Sequence, residues 1–186
     1  MRLLAALVLT LALSGCASSP TPNFYTLALV AGGVQYPTLH SIELRRIGLA
    51  GYLDRPDIVR SAARYRLELA ANDRWGEPLG GMLERVLCED LLQRLPGVAV
   101  FVESGAISAS PDRVVEIDIQ RFDTGPDGAI VLLAEVAVRV DGNATGGAQT
   151  VRLTARPGGP GTAAQVAAMS AVLGQFADAV VGMLGL

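Results

Sequence analysis

Two stretches of this chain carry apolar side chains at spacings of three and four residues, which is typical of amphipathic α-helices. The first begins after Glu77-Pro78, which suits a first helical turn, and stops at Pro96-Gly97. The second follows a glycine- and proline-rich loop, with Thr162 as its predicted N-cap. Each stripe must be buried against another element, so these helices constrain the fold most strongly. The two stripes are Leu79, Met82, Leu83, Val86, Leu87, Leu91 and Leu95, and Val166, Met169, Leu173, Phe176, Val180 and Leu184.

The rest of the chain contains segments that alternate apolar and polar residues, as β-strands do. Tyr65, Leu67 and Leu69 alternate with charged residues and predict a half-buried strand. Residues 114–122 and 130–140 flank a Gly-Pro-Asp-Gly turn and predict an antiparallel hairpin. Further strands are predicted at residues 24–30, 39–47, 98–102 and 148–156, with a short extension at 57–61.

The predicted order is three strands, a helix, four strands and a second helix, with no internal repeat or linker. We expect one α+β domain over residues 24–186, in which a mostly antiparallel sheet of about seven strands carries both helices on one face. The chain has 186 residues, of which 51% are hydrophobic and only 5% aromatic. It is therefore long enough for one core, and that core should be aliphatic.

The N-terminus has the features of an export signal. Arg2 precedes an apolar run from Leu3 to Leu13, which would rise about 16 Å as a helix and is too short to cross a bilayer. Leu13-Ser14-Gly15-Cys16 matches the lipobox of bacterial lipoproteins, in which small residues admit the peptidase and the thiol accepts diacylglycerol. We expect residues 1–15 to be cleaved and Cys16 to carry diacylglycerol and an N-acyl chain. The alternative is an ordinary secretory signal with a chance cysteine.

The residues after the lipobox predict a tether and a destination. Residues 16–23 are a lipidated N-terminus and a Ser/Pro/Thr tether without folded structure. Ala17 stands at the position where an aspartate would retain an enterobacterial lipoprotein at the inner membrane. We therefore expect the mature protein to lie at the periplasmic face of the outer membrane. Cleavage removes Arg2 and lowers the 15 basic residues to 14 against 18 acidic ones, a formal charge of −4. This charge argues against a nucleic-acid partner, which needs a basic face.

Residues with the chemistry of catalysis or metal binding are few. His40 is the only histidine, and no pair of histidines or free cysteines supplies a zinc-type site. Cys88 falls among Leu83, Val86, Leu87 and Leu91 of the first predicted helix, where a small buried hydrophobe is favoured over a reactive thiol. No nucleophile elbow and no phosphate-binding loop occurs. We expect no enzyme activity, no catalytic or metal-binding residues, and no cofactor beyond the lipid on Cys16.

Two clusters of charged and aromatic residues, at positions 51–59 and 73–79, are less easily explained by folding. Trp75 could staple the start of the first helix, with Arg55 capping or pairing locally. Alternatively the two loops form a protein contact, because Trp, Tyr and Arg are enriched at interface hot spots. The residues predicted for a partner or oligomer interface are Tyr52, Asp54, Arg55, Pro56, Arg74, Trp75 and Glu77.

The same clusters resemble the signature of the ABC-type transport auxiliary lipoproteins, the PqiC/YmbA family. The resemblance covers residues 16–100 by motif and the remainder by the order of strands and helices. Asp57 and Gly76 depart from the pattern, in which glutamine and alanine are expected, and neither departure supports a different function. The matching motifs are Phe24-Tyr25-Thr26-Leu27, Tyr52-Leu53-Asp54-Arg55-Pro56, Ile58-Val59, Arg74-Trp75, Glu77-Pro78-Leu79 and Arg85-Val86-Leu87.

This resemblance implies a non-catalytic outer-membrane lipoprotein that works with the MCE-domain, substrate-binding-type protein and the inner-membrane permease of a lipid transporter. Such a lipoprotein is expected to dock the periplasmic conduit at the outer membrane and to assemble as a homo-oligomeric ring. The alternative is a lipid- or solute-binding lipoprotein with a pocket between sheet and helices, which the aliphatic composition permits. A periplasmic hydrolase is disfavoured by the single histidine.

Overall fold

The structure is a computed structural model that describes residues 20–63, 65–104, 110–140, 143–144 and 148–186. The predicted signal peptide and Cys16 lie outside the described residues. Within those residues, ten strands form one sheet that is accompanied by two helices. The strands are β1 (Asn23–Tyr25), β2 (Ser41–Leu44), β3 (Gly48–Leu49), β4 (Asp57–Ala63), β5 (Arg66–Trp75), β6 (Ala99–Val102), β7 (Arg113–Thr124), β8 (Ile130–Val140), β9 (Asn143–Ala144) and β10 (Gln149–Ala155), and the helices are α1 (Leu79–Arg94) and α2 (Thr162–Met183).

The long strand β7 is the centre of the sheet. One edge of β7 pairs antiparallel with β8, which confirms the predicted hairpin, and β8 pairs antiparallel with β10 and β9. The other edge of β7 pairs parallel with β2, β3 and β4 in succession. Strand β6 lies beyond β2, and β5 and β1 lie beyond β4. The α+β class is confirmed, but the sheet is mixed, because β2, β3 and β4 pair parallel with β7. It has ten strands rather than about seven, because β3 is separate from β2, the predicted extension forms β4, and the short β9 pairs with β8.

Both predicted helices are present, contact each other, and are buried along the predicted stripes. Helix α2 is long and apolar enough to cross a membrane by length and composition, with a mean hydropathy of 1.5 in its most apolar part. However, 61% of that part is buried inside the domain, where α2 contacts β8 and β10. The core of the fold therefore accounts for the apolar character of α2. Cys88 on α1 is half-buried, and its thiol donates a hydrogen bond to the carbonyl of Val100.

Residues 26–39, here called the strap, correct one sequence-based expectation. A strand was predicted over residues 24–30, but β1 ends at Tyr25. Backbone N–H groups of the strap bind side chains of α1 and α2 instead of a neighbouring strand, so the strap crosses the seam between the helices. These bonds run from Leu27 to Met82 Sδ (3.2 Å), from Ala28 to Ser170 Oγ (3.1 Å) and from Val30 to Asp90 Oδ1 (2.9 Å).

The hairpin of β4 and β5 corrects a second expectation. The alternating segment near Tyr65 does belong to a hairpin, but its apolar residues are not half-buried: Tyr65 is 91% exposed, Leu67 47% and Leu69 45%. Strand β4 pairs with β7 only where Arg60 faces Thr124, the last residue of β7. The outer part of the hairpin therefore extends past the end of β7.

Candidate functional site

The β4–β5 hairpin brings the two polar-aromatic clusters together. Because β4 and β5 are antiparallel, the start of β4 lies beside the end of β5, and Asp57 is the register partner of Arg74. The backbone N–H of Trp75 donates to the carbonyl of Pro56 at 2.7 Å. Pro56 and Trp75, which are 19 positions apart in the sequence, are thus joined directly at the base of the hairpin.

These segments line one open pocket of about 380 Å³. Trp75 contributes to its wall but is only 4% exposed, so most of the indole belongs to the core. Asp54, Arg55 and Pro56, in contrast, are exposed to solvent. The pocket therefore combines a mainly apolar lining, to which the indole contributes little area, with two exposed side chains of opposite charge. Its lining residues are Asp54, Arg55, Pro56, Trp75, Gly76, Glu77 and Pro78.

A second cleft, of about 470 Å³, shares Asp54 with this pocket. Part of its lining is formed by Gly80 and Gly81 in the first turn of α1, where a Cβ atom would meet no neighbouring atom. Glycine in a helix costs about 1 kcal/mol relative to alanine, and no contact within the described structure requires it here. Sequence reasoning excluded Gly80-Gly81 as a phosphate loop but did not assign it to this cleft. The other lining residues are Arg46, Ile47, Leu49 and Glu84.

Two of the predicted interface residues are held by ion pairs within the chain. Arg74 Nη1 lies 2.9 Å from Asp57 Oδ1, which ties the two strands of the hairpin together. Glu77 Oε1 lies 2.5 Å from Arg85 Nη2, which ties the segment before α1 to the helix itself. These pairs are partly exposed, so they order the pocket more than they stabilise the domain. Asp57, which departs from the family pattern, therefore has a structural role as the ion-pair partner of Arg74.

Tyr52 lies outside the pocket lining and has a different role. Its hydroxyl donates to Asp123 Oδ2 at 2.6 Å, and Asp123 also accepts from Arg121 Nη2 at 2.6 Å. Burial, followed by the hydrogen bond to Asp123, raises the pKa of Tyr52 well above its usual range. Tyr52 thus fixes the loop before β4 onto β7. Asp123 is 2% exposed. The sequence did not identify it as the partner of Tyr52, because a carboxylate in a strand is usually expected to face solvent.

Side chains that ligate metals are dispersed over the described residues. Within them, no group of three or more His, Cys, Asp or Glu side chains is placed to hold a metal ion. His40 is exposed just before β2, where its backbone N–H donates to Asp112 at 2.6 Å. The pocket and the cleft each carry charged side chains of both signs, Arg55 with Asp54 in the pocket and Arg46 with Glu84 in the cleft.

The family model described as ABC-type transport auxiliary lipoprotein component matches residues 25–181 of this chain. The chain belongs to this family. It is also similar to two crystal structures, both with the same fold. One is of an uncharacterized protein, with 19% identity, a TM-score of 0.75, and coverage of 89% of this chain and 99% of that one. The other is of a Xanthomonas campestris protein, with 18% identity, a TM-score of 0.71, and coverage of 87% and 93%.

A comparison with curated proteins finds no match. The family match confirms the resemblance based on the motifs around Tyr52 and Trp75, and it extends through α2. The two structures confirm the fold across nearly their whole length. A role in transport is therefore the function that the family shares with this chain.

Proposed function

We propose that this auxiliary lipoprotein is a non-catalytic adaptor in an MCE-type intermembrane lipid transport system. Lipid on Cys16 holds it to the periplasmic face of the outer membrane, where it docks the periplasmic part of the conduit. The family description supports the transport role, and the lipobox supports the anchor. The partners are an MCE-domain protein and, through it, the inner-membrane permease.

The observation that carries this proposal is the pocket at the base of the β4–β5 hairpin. Arg55 and Asp54 are exposed there beside the wall formed by Trp75. A mainly apolar pocket flanked by exposed charged residues can accept an anchoring side chain from a partner. The adjoining cleft beside Gly80 and Gly81 allows the backbone of a partner to approach α1 closely.

A lipid pocket between sheet and helices has less support. Side chains on both layers are fully buried there and fill the space between them. Lipid carriage is therefore assigned to the partner rather than to this domain. The filling residues include Leu83, Val86, Ile119, Leu132, Val172, Leu173 and Phe176, all 0% exposed.

The test is site-specific crosslinking in cells that express the full lipidated chain. A photo-crosslinking amino acid is placed at position 55, and the matched control carries it at Leu92, which is 43% exposed on α1. We expect position 55 to give an adduct that mass spectrometry identifies as an MCE-domain protein, and position 92 to give none. Capture of only unrelated envelope proteins at position 55 would contradict the docking role.

Self-association is the second part of this proposal, since the adaptor is expected to form a homo-oligomeric ring around the conduit. Light scattering on the detergent-purified mature chain measures its mass directly. A mass several times the monomer is the expected result, and a monomer at all concentrations would remove the ring from the proposal.

A further inference from the structure

The first described residues show from which direction the chain enters the domain. Strand β1 is parallel to β5, with Asn23 paired to Asp73. One step earlier, the side-chain amide of Asn72 donates to the carbonyl of Thr21 at 2.7 Å. Because parallel strands run in the same direction, the chain before Asn23 points back along β5 toward the start of that strand. That start is the exposed end of the β4–β5 hairpin.

The length of the tether limits how far the lipid can lie from this end. Cys16 precedes Thr21 by five residues, which span at most about 18 Å. Tyr65 precedes Asn72 by seven residues, which span about 23 Å as a strand. Pro20 and Pro22, just before β1, each fix their own φ near −65°, which favours an extended chain where it enters the domain. A lipid on Cys16 therefore reaches about the level of Tyr65 and not far beyond it.

The hairpin tip, defined as residues 65–67, has side chains suited to a bilayer surface. Tyr65 is 91% exposed and Leu67 is 47% exposed, next to Arg66, whose side chain is 71% exposed. Arg156 follows β10 at the same end of the sheet and is 74% exposed. Tyrosine rings favour the headgroup region of a membrane, and arginines extend toward its phosphates.

We propose that the hairpin tip contacts the surface of the bilayer in which the lipid on Cys16 is embedded. Tyr65 and Leu67 enter the headgroup region, and Arg66 and Arg156 face the phosphates. This inference rests on the proposed lipid anchor. It gives the domain a fixed orientation, with β5 rising from the membrane.

The orientation also places the docking pocket. Trp75 is the last residue of β5 and Arg66 the first, so the strand separates them by about 30 Å. With the tip on the bilayer, the pocket opens well above the membrane, on the side from which a periplasmic partner arrives. A chain tethered by lipid alone would present the pocket in all directions.

The test uses two matched tyrosine-to-tryptophan variants of the mature, lipidated chain. Tyr65→Trp places a reporter at the tip. Tyr36→Trp places one at a second exposed tyrosine, 82% exposed, in the strap shortly before β2 begins beside the opposite end of β7. The native Trp75 is buried and gives the same background emission in both. Each variant is incorporated into phosphatidylethanolamine–phosphatidylglycerol vesicles with and without brominated phospholipid, which quenches tryptophan only on contact.

We expect the emission added by Trp at position 65 to shift to shorter wavelength and to lose most of its intensity with brominated lipid. The emission added at position 36 should remain unquenched. Vesicle flotation tests the lipid anchor independently of the orientation. A chain that does not float with the vesicles overturns the anchor and the orientation together. A floating chain with no quenching at position 65, or equal quenching at both positions, overturns the orientation alone. Leu67→Trp is a second tip reporter with the same expected result.

Discussion

Arg94 on α1 and Asp178 on α2 form an ion pair, with 2.6 Å between Nε and Oδ1, although the side chain of Arg94 is only 1% exposed. The same guanidinium donates to the backbone carbonyls of Val30, Asp90 and Gly174. One side chain therefore joins the strap to both helices. The strap connects β1 to the rest of the sheet, so Arg94 fixes the N-terminal part of the domain against both helices.

Replacing Arg94 with methionine should destabilise the domain strongly. Methionine fills much of the volume, but the variant leaves the buried carboxylate of Asp90 without its cation. Removing one partner of a buried ion pair typically costs about 3–5 kcal/mol. Urea denaturation monitored by the buried Trp75 measures this change. Arg66→Met, which removes an exposed ion pair on β5, is the control and should leave the midpoint nearly unchanged.

Two neighbouring glycines provide a sharper test of the strap. A Cβ at Gly32 would overlap the guanidinium of Arg94, whereas a Cβ at Gly33 would meet no atom. Arg94 cannot move aside freely, because its hydrogen bonds fix it in place. We expect Gly32→Ala to lower the free energy of unfolding by about 1–3 kcal/mol. Gly33→Ala should be neutral or slightly stabilising, since it reduces the freedom of the unfolded chain. Equal effects in thermal denaturation would show that the strap is not held against Arg94.

Asp90 should make the stability of the domain depend on pH in an unusual direction. Burial is the main cause that raises its pKa above 3.8, while the Val30 N–H and Arg94 lower it, and Glu89 and Asp178 raise it further. A carboxyl whose pKa is higher in the folded state binds its proton more tightly there. The stabilising contribution of this carboxyl is complete at pH values below its pKa in the unfolded state. It is lost as the pH rises through its pKa in the folded state.

The measurement is the difference in unfolding free energy between the native chain and Asp90→Asn, from below pH 4 upward. Asparagine does not titrate, so the difference isolates Asp90 from Asp73 and Asp112, whose pKa values are lowered and whose contributions run the opposite way. The advantage of the native chain should decline as pH rises and then level off. An advantage that grows with pH would mean that the attraction of Arg94 exceeds the cost of burial.

The strap also shows why part of the fold could not be predicted. The apolar stripe of α1 was predicted correctly, but it does not include Arg94, because charged residues usually lie on the solvent side of a helix. The strap and α2, which cover that side of α1, bury Arg94. Likewise, Leu67 and Leu69 alternate like residues of a half-buried strand. Alternation identifies the two faces of a strand, but it does not show whether another layer covers either face.

The candidate site was predictable in composition but not in the burial of its members. The sequence identified both clusters, and the antiparallel pairing of β4 with β5 joins them through Pro56 and Trp75. The prediction treated Trp75 and Tyr52 as contact residues, yet one is largely core and the other is bonded to Asp123. Their partners come from distant strands, which local patterns do not reveal.

This burial determines which variant can test docking without unfolding the domain. Trp75→Ala should cost about 3–5 kcal/mol, because it removes a large core side chain. Arg55→Ala changes only an exposed side chain, so it should leave the melting temperature unchanged and reduce recovery of the MCE-domain partner in pull-downs from envelope extracts. Tyr52→Phe is the complementary control: it loses the hydrogen bond to buried Asp123, about 1–3 kcal/mol, but keeps the exposed residues of the pocket. If Tyr52→Phe lost the partner at a temperature where it is folded and Arg55→Ala kept it, the contact would involve the Tyr52 loop rather than the pocket.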